Sequence, residues 1–206
     1  MAAESFDVVD DQDRVIGRAP RAAVHAQGLR HRAIHVFLFN EPGELFIQKR
    51  AAGKDTFPGC FDSSASGHLD SGEDYDTAAI RELREELGLA GLIHRSLWDR
   101  SSDRDRASRI APITLLAGSE FPQDDNSLHK HFKIDACAET GWEFVWVYSL
   151  QGRFVPEINP TEIESGRFWT LAAVAALVRD QPDQCAPSFR RIFREFDERH
   201  LWPGAG

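Results

Sequence analysis

No stretch of this chain stays apolar for the ~18 residues that a bilayer span requires. Its opening residues, MAAESFDVVDDQDR, are acidic and lack the apolar core of a signal peptide. Positive charge is in short supply: 24 Lys and Arg face 33 Asp and Glu, for a net charge of −9. That deficit argues against nonspecific binding of nucleic acid or of an anionic membrane. Cysteine is scarce as well. Cys60, Cys137 and Cys185 are far apart, odd in number and in no Cys-X-X-Cys pair, which fits free thiols in a reducing cytoplasm. There is no internal repeat. Gly53-Lys54 is not a nucleotide-binding phosphate loop, because Gln48 and Asp55 stand where Gly and Ser or Thr are needed. Ser63, Ser64 and Ser66 lie near His68 without the Gly-X-Ser-X-Gly elbow of a serine hydrolase.

What is present reads as one domain over 1–206 with a sizeable core. Phe6–Val9 and Arg14–Arg18 predict a hairpin, and Pro20 opens a short helix to Gln27 that Gly28 ends. Ala33–Phe39 is almost wholly apolar and predicts a central strand buried on both faces, with Glu44–Arg50 pairing back after a turn. Ala51–Gly59 is read as a loop and Cys60–Ser66 as a short strand. Further strands are expected at Leu92–Trp98, Ile113–Leu116, His131–Cys137 and Glu143–Leu150, with a charged loop at Asp99–Arg109 and a polar excursion at Gly118–Lys130. Gly166–Leu171 leads into a helix to Arg179, with Leu171, Val174, Ala175 and Val178 as its core stripe. A last helix covers Ser188–His200. The pattern divides into an N-terminal hairpin and helix (1–30), a core (31–152) and a C-terminal strand with helices (153–206). Strands flanking helices on both sides predict an α/β sandwich with a mixed sheet. His35 is expected to be a satisfied core histidine, and His129 and His131 to lie in a solvated loop, with a metal pair as the alternative. Trp142, Trp146 and Tyr148 alternate on one strand face, as core or, alternatively, as a wall for a base or a prenyl group.

The densest information lies in 67–89, GHLDSGEDYDTAAIRELREELGL. Ile80, Leu83 and Leu87 recur at helical spacing and predict one buried stripe. Asp74 and Asp76 suit the positive end of that helix, and Gly88 its C-terminal cap. Glu82, Glu85 and Glu86 sit at i, i+3 and i+4, so three carboxylates share a face away from the stripe. They repel by roughly 0.2–0.5 kcal/mol per pair, and Arg84 alone cannot neutralise them. A purely structural helix gains nothing from this. A hard cation such as Mg²⁺ does, since it takes oxygen ligands and bridges them to phosphates.

With Gly67, Glu73, Arg81 and Gly88 in register, every fixed position of the Nudix hydrolase signature is filled, and 67–89 resembles that box throughout. The resemblance implies the family's α/β/α sandwich with a mixed sheet, dependence on Mg²⁺ (or Mn²⁺), and hydrolysis of a diphosphate linkage. It implies Gly67 (by its carbonyl), Glu82, Glu85 and Glu86 as metal ligands. Glu85, Glu86, Arg81 and Glu73 form the catalytic group, with Glu73 folding back to Arg81 to orient the helix carboxylates. The expected substrate is a small nucleoside diphosphate or a derivative of one; a homodimer is compatible with the chain.

From about Asp7 to Glu162 the chain also resembles the Nudix branch that includes isopentenyl diphosphate isomerase. Phe57-Pro58-Gly59, Ser63–His68 and Gly141-Trp142-Glu143 fill three of its marks. This implies that Arg50 and Lys54 face a diphosphate, that Ser66 and His68 lie at the substrate, and that His25, His31, His68 and Glu143 match an additional metal site. Yet Ser66 replaces that branch's reactive Cys, Gly141 replaces the first Glu of its Glu-X-Glu pair, and Glu82 is retained where the isomerases carry a basic residue. Hydrolysis is therefore expected over isomerisation, and over a silent ligand-binding module, which should have lost box carboxylates.

Overall fold

The computed structural model describes residues 4–89, 113–114 and 127–203. β1 (Ser5–Val9) and β2 (Val15–Pro20) make an antiparallel hairpin whose turn is held by Asp10, accepting from the Gln12 and Arg14 amides at 2.9 Å each. α1 (Arg21–Gln27) follows Pro20 and stops at Gly28, which supplies the left-handed conformation (φ 60°) that ends the helix. Then come β3 (His31–Phe39), β4 (Leu45–Arg50), β5 (Phe61–Asp62), β6 (Ala65–His68) and α2 (Tyr75–Leu87). β7 (Ile113–Thr114), β8 (Ser127–Ile134), β9 (Glu143–Gln151), β10 (Ile163–Trp169), α3 (Leu171–Asp180), a 3-10 turn at Pro182–Gln184 and α4 (Pro187–Glu198) complete the described elements.

The main sheet runs β10-β4-β3-β9-β8-β7, with β3 and β9 parallel and the other ladders antiparallel. β3 is buried on both faces, and its alternation divides the core. Ala33, Phe37 and Phe39 face Val174 and Leu177 of α3 and Phe189, Ile192, Phe193 and Phe196 of α4. Ile34, Val36 and Leu38 face Ala78, Ala79, Leu83 and Leu87 of α2. A helix layer therefore covers each side of a mixed sheet, the α/β sandwich that the pattern predicts. Among the described residues, no helix is long and apolar enough to cross a membrane.

β3 and β4 do not form a full hairpin. They pair only at Phe39–Leu45 and then splay apart. The segment expected as one strand enters the gap as two, β5 along β4 and β6 along β3. Ser64, fully buried between them, ties the splayed strands together: its hydroxyl donates to the Phe46 carbonyl (2.6 Å) and accepts from the Leu38 amide (2.7 Å). The splay brings Gly67 and His68 against α2.

Other expectations shift. In α2 the fully buried apolar positions include Ala79 with Leu83 and Leu87, whereas Ile80 is only half-buried, because the sheet meets the helix one residue round. In α3 the buried pair is Val174 and Leu177; Leu171, Ala175 and Val178 only flank the core. His129 and His131 lie in β8 rather than in a loop. Trp142 precedes β9 and is 42% exposed, so it is not core, while Tyr148 is buried with its hydroxyl on Asp76 (2.6 Å). The expected strand Leu92–Trp98, the loop Asp99–Arg109 and residues 118–126 lie outside the described residues.

Candidate active site and metal-binding wall

α2 starts with the Asp74 carboxylate accepting from the Thr77 amide (2.9 Å) and ends at Gly88 in the left-handed conformation (φ 64°). Between these caps, the three glutamates do not share one exposed face. Glu82 and Glu86 are buried (9% and 3% exposed), and only Glu85 reaches solvent. The burial arises from β6, which crosses the helix at Gly67. A Cβ there would lie 1.9 Å from Glu82 Oε1, so only glycine admits the carboxylate.

Arg81 organises this wall. Its Nε and Nη2 donate to the two oxygens of Glu73 (3.0 and 2.9 Å), and Nη2 also donates to the His68 carbonyl (2.8 Å). Its Nη1 donates to Glu82 (2.6 Å) and Glu85 (3.2 Å). Glu73 thus folds back from the loop to the guanidinium. Burial works against the charge of Arg81, but the Glu73 bonds and the Glu82 charge hold its pKa well above the ordinary value.

Among the described residues, no cation is bonded to Glu86. One of its oxygens accepts from Gln48 Nε2 and from the Ser66 amide, both at 3.1 Å and both neutral. Burial first, and the neighbouring Glu82 charge second, push its pKa well above the carboxylate range. Glu82 is raised too, by burial, although Arg81 opposes the shift. Two adjacent buried carboxyls that resist ionisation form a site that a divalent cation completes, since it supplies the missing charge.

Beside this wall stands a second set of donors. α1 contributes His25, β3 contributes His31, β6 contributes His68 and β9 contributes Glu143. One ring nitrogen from each histidine lies within 4.8 Å of the other two. His31 Nδ1 bonds to the Leu29 carbonyl (2.9 Å), and its Nε2 lies 3.5 Å from Glu143 Oε1. Among the described residues, the buried Nε2 atoms of His25 and His31 find no hydrogen-bond partner. His68 Nε2 bonds to Glu143 (2.9 Å), and burial pushes its pKa down to about 4, so the ring is neutral near pH 7. Phe6 stacks on His31 and His68. Buried imidazoles with orphaned nitrogens beside a carboxylate suit a transition-metal cation.

Apart from His31, both sets line one cleft of about 570 Å³, and Arg50, Lys54, Ser66, Gly67, His68, Arg81, Glu82, Glu85, Glu86 and Glu143 all border it; Glu73 stands behind Arg81. The two cations expected at a diphosphate are already engaged. Arg50 donates to Asp62 (2.9 Å), to the Thr56 carbonyl and to the Thr56 hydroxyl; Lys54 bonds to Glu162. Sequence reasoning missed Arg21, which reaches the cleft from α1, bonded to Asp55 and His68; nothing in its local sequence marks it. It missed Gln48 as well, whose signal was a polar residue inside the apolar run LFIQ. It also missed the segment carrying Asn159 and Glu162, docked on α2 through amide bonds to the Leu87 and Glu86 carbonyls (2.8 and 2.9 Å). His35 is a satisfied core histidine: it is buried, bonded to Ser63 Oγ (2.7 Å), with burial lowering its pKa.

The family model for the NUDIX domain matches residues 29–194. An uncharacterized Nudix hydrolase of Streptomyces coelicolor is 37% identical over 152 residues, covering 70% of this chain and 83% of that protein. A Nudix hydrolase of Deinococcus radiodurans is 31% identical over 196 residues, covering 93% and 95%. Matches to several further relatives span about half of their length. Among solved structures, DR0079 from Deinococcus radiodurans superposes with a TM-score of 0.68 at 25% identity, covering 93% of this chain and 98% of that one. The Gly67–Leu89 box thus sits inside a whole-chain likeness, and the chain belongs to the Nudix family, as a hydrolase of pyrophosphate bonds.

Proposed function

We propose that this chain is a Mg²⁺-dependent hydrolase of a phosphoanhydride in a nucleoside diphosphate or its derivative, with Mn²⁺ as a substitute cation. The observation that carries this reading is the buried Glu82–Glu86 pair, whose charge the protein leaves largely unmatched at the edge of a polar cleft. Glu82, Glu85 and Glu86, with the Gly67 carbonyl, would hold the cation. Once bound, it would polarise the diphosphate and lower the pKa of an attacking water. Arg81, braced by Glu73, fixes the orientation of the Glu82 and Glu85 carboxylates. The Ser66 amide and Gln48 fix Glu86. Arg50 ends β4 and Lys54 lies on the loop that follows it, where exchanging their acidic partners for phosphate oxygens would clamp the substrate.

A second cation site is favoured by the orphaned Nε2 atoms of His25 and His31 beside His68 and Glu143. It does not restore the isomerase reading. Among the described residues, the cleft is bordered, apart from Ala33 and Phe57, by glycine, polar and charged residues, which offer a prenyl tail no apolar enclosure. Incubation with Mg²⁺ and a panel of nucleoside diphosphate derivatives, with products read by mass spectrometry, tests the reading. Cleavage at the diphosphate is the expected outcome; an intact panel with both Mg²⁺ and Mn²⁺ would contradict it.

A further inference from the structure

One side chain on the cleft is out of keeping with the rest. Among the described residues, Phe57 is the only large apolar residue on its wall, and 48% of it is exposed. Among the described residues, no ring or cation is found stacked on it. Its backbone is left-handed (φ 48°), a conformation that a bulky L-residue adopts only under constraint. The constraint is visible. Arg50 donates to the Thr56 carbonyl on one side of Phe57, and the Gly59 amide bonds to the Arg50 carbonyl (3.1 Å) on the other. The Cys60 amide closes the turn onto the Phe57 carbonyl (3.3 Å). The chain therefore holds a ring in water in a disfavoured conformation, and neither feature helps it fold.

Trp142 provides the contrast. It too is exposed and left-handed (φ 66°), but its ring lies against Gly28, where a Cβ would come within 3.3 Å of Trp142 Cδ1, and its carbonyl accepts from the His31 amide. Trp142 has a structural task and does not line the cleft. Phe57 has no such task and does.

We infer that Phe57 is a stacking platform for the nucleobase of the substrate, and so a specificity-determining residue. The inference rests on the diphosphate hydrolase reading for the other half of the ligand. Arg50 anchors this turn and Lys54 lies on the same loop, so one loop presents cations for phosphates and a flat apolar face for a ring. An open, one-sided platform suits a planar base, whereas a prenyl tail needs enclosure.

The test compares wild type, Phe57→Leu, which keeps an apolar side chain without a ring, and Phe57→Trp, which keeps a ring. Dissociation constants are measured by calorimetry for ADP, GDP, CDP, UDP and inorganic pyrophosphate, with Ca²⁺ to suppress turnover. The tightest-binding nucleotide is expected to weaken about tenfold in Phe57→Leu and to stay within about threefold in Phe57→Trp, with pyrophosphate within about twofold throughout. Equal weakening of nucleotide and pyrophosphate would make Phe57 a mere turn residue. Unchanged nucleotide binding in Phe57→Leu, or a wild type that binds no nucleotide more tightly than pyrophosphate, would also overturn the inference. Turnover of the wild type with Mg²⁺, assayed in parallel, is independent of these constants, so its absence would count against the hydrolase reading alone.

Discussion

The carboxylate wall and the histidine corner share one cleft but are built in opposite ways. Glu82, Glu85 and Glu86 come from a single helix, α2, within five residues of sequence. His25, His31, His68 and Glu143 come from four elements and meet only when β3, β6 and β9 align at their ends with α1. Their electrostatics differ as well. The wall buries two carboxyls that resist ionisation, so it is strained in charge until a cation arrives. In the corner, burial lowers the pKa values of His25 and His68, so these two rings resist taking on charge. On the proposed reading, the wall is therefore the better place for a cation that supports turnover.

The largest expected effect comes from neutralising the wall. Glu86→Gln should lower turnover by about 100-fold or more at saturating Mg²⁺. Its melting temperature in EDTA should not fall, because an amide fits beside Gln48 and the Ser66 amide without a buried charge. Steady-state kinetics with a thermal melt checks both; near-native turnover would erase the distinction between wall and corner.

Next in size is the brace behind the wall. Glu73→Gln loses a two-pronged charged contact to Arg81, so Mg²⁺ affinity should fall about tenfold. Stability should fall with it by about 1.5–3 kcal/mol, the worth of a charge-assisted hydrogen bond. Metal titration and denaturant unfolding of the same sample would show the two losses together. A change in one alone would separate orientation from folding.

pH gives a smaller, signed effect. Burial raises the folded-state pKa values of Glu82 and Glu86 from the ordinary 4.5 to about 7 and about 8, so these two groups hold more protons in the folded protein than in the unfolded chain. Below the unfolded histidine value of 6.5, His25, His35, His68 and His131, whose pKa values burial lowers, give the opposite slope. Metal-free stability should therefore decline with rising pH from 6.5 to about 8, and Mg²⁺ should abolish the decline. Urea unfolding at several pH values, with and without Mg²⁺, checks the slope. His68, with its pKa lowered to about 4, contributes nothing above pH 7.

The smallest effect is expected at Ser66. Its amide, not its hydroxyl, holds Glu86, so Ser66→Ala should leave hydrolysis within about tenfold. The wild type should take up no solvent deuterium into dimethylallyl diphosphate, as followed by NMR. Label uptake would return the isomerase reading.

Much of this contrast is legible in the chain, and the limits of legibility have a physical cause. α2, its caps and its three glutamates follow from i, i+3 and i+4 spacing, because every constraint lies within one helix. That Glu82 and Glu86 are buried does not follow, since it depends on β6 crossing at Gly67 after β3 and β4 splay. A strand-pairing pattern favours the simple hairpin, and the Ser64 hydroxyl that ties the splayed strands resembles any other serine of the run SSAS. The histidine corner was reachable only through the family resemblance, because its members are up to 118 residues apart in sequence. Arg21 and the platform at Phe57 required the folded cleft.

The central claim is that the wall, and not the corner, holds the activating cation. Mn²⁺ titration followed by electron paramagnetic resonance tests it most directly, with turnover measured on the same samples of wild type, Glu86→Gln and His31→Ala. The account expects Glu86→Gln to lose the Mn²⁺ occupancy that tracks turnover, while His31→Ala keeps that occupancy and most of the rate. It would be contradicted if His31→Ala abolished the turnover-linked signal and Glu86→Gln left it intact.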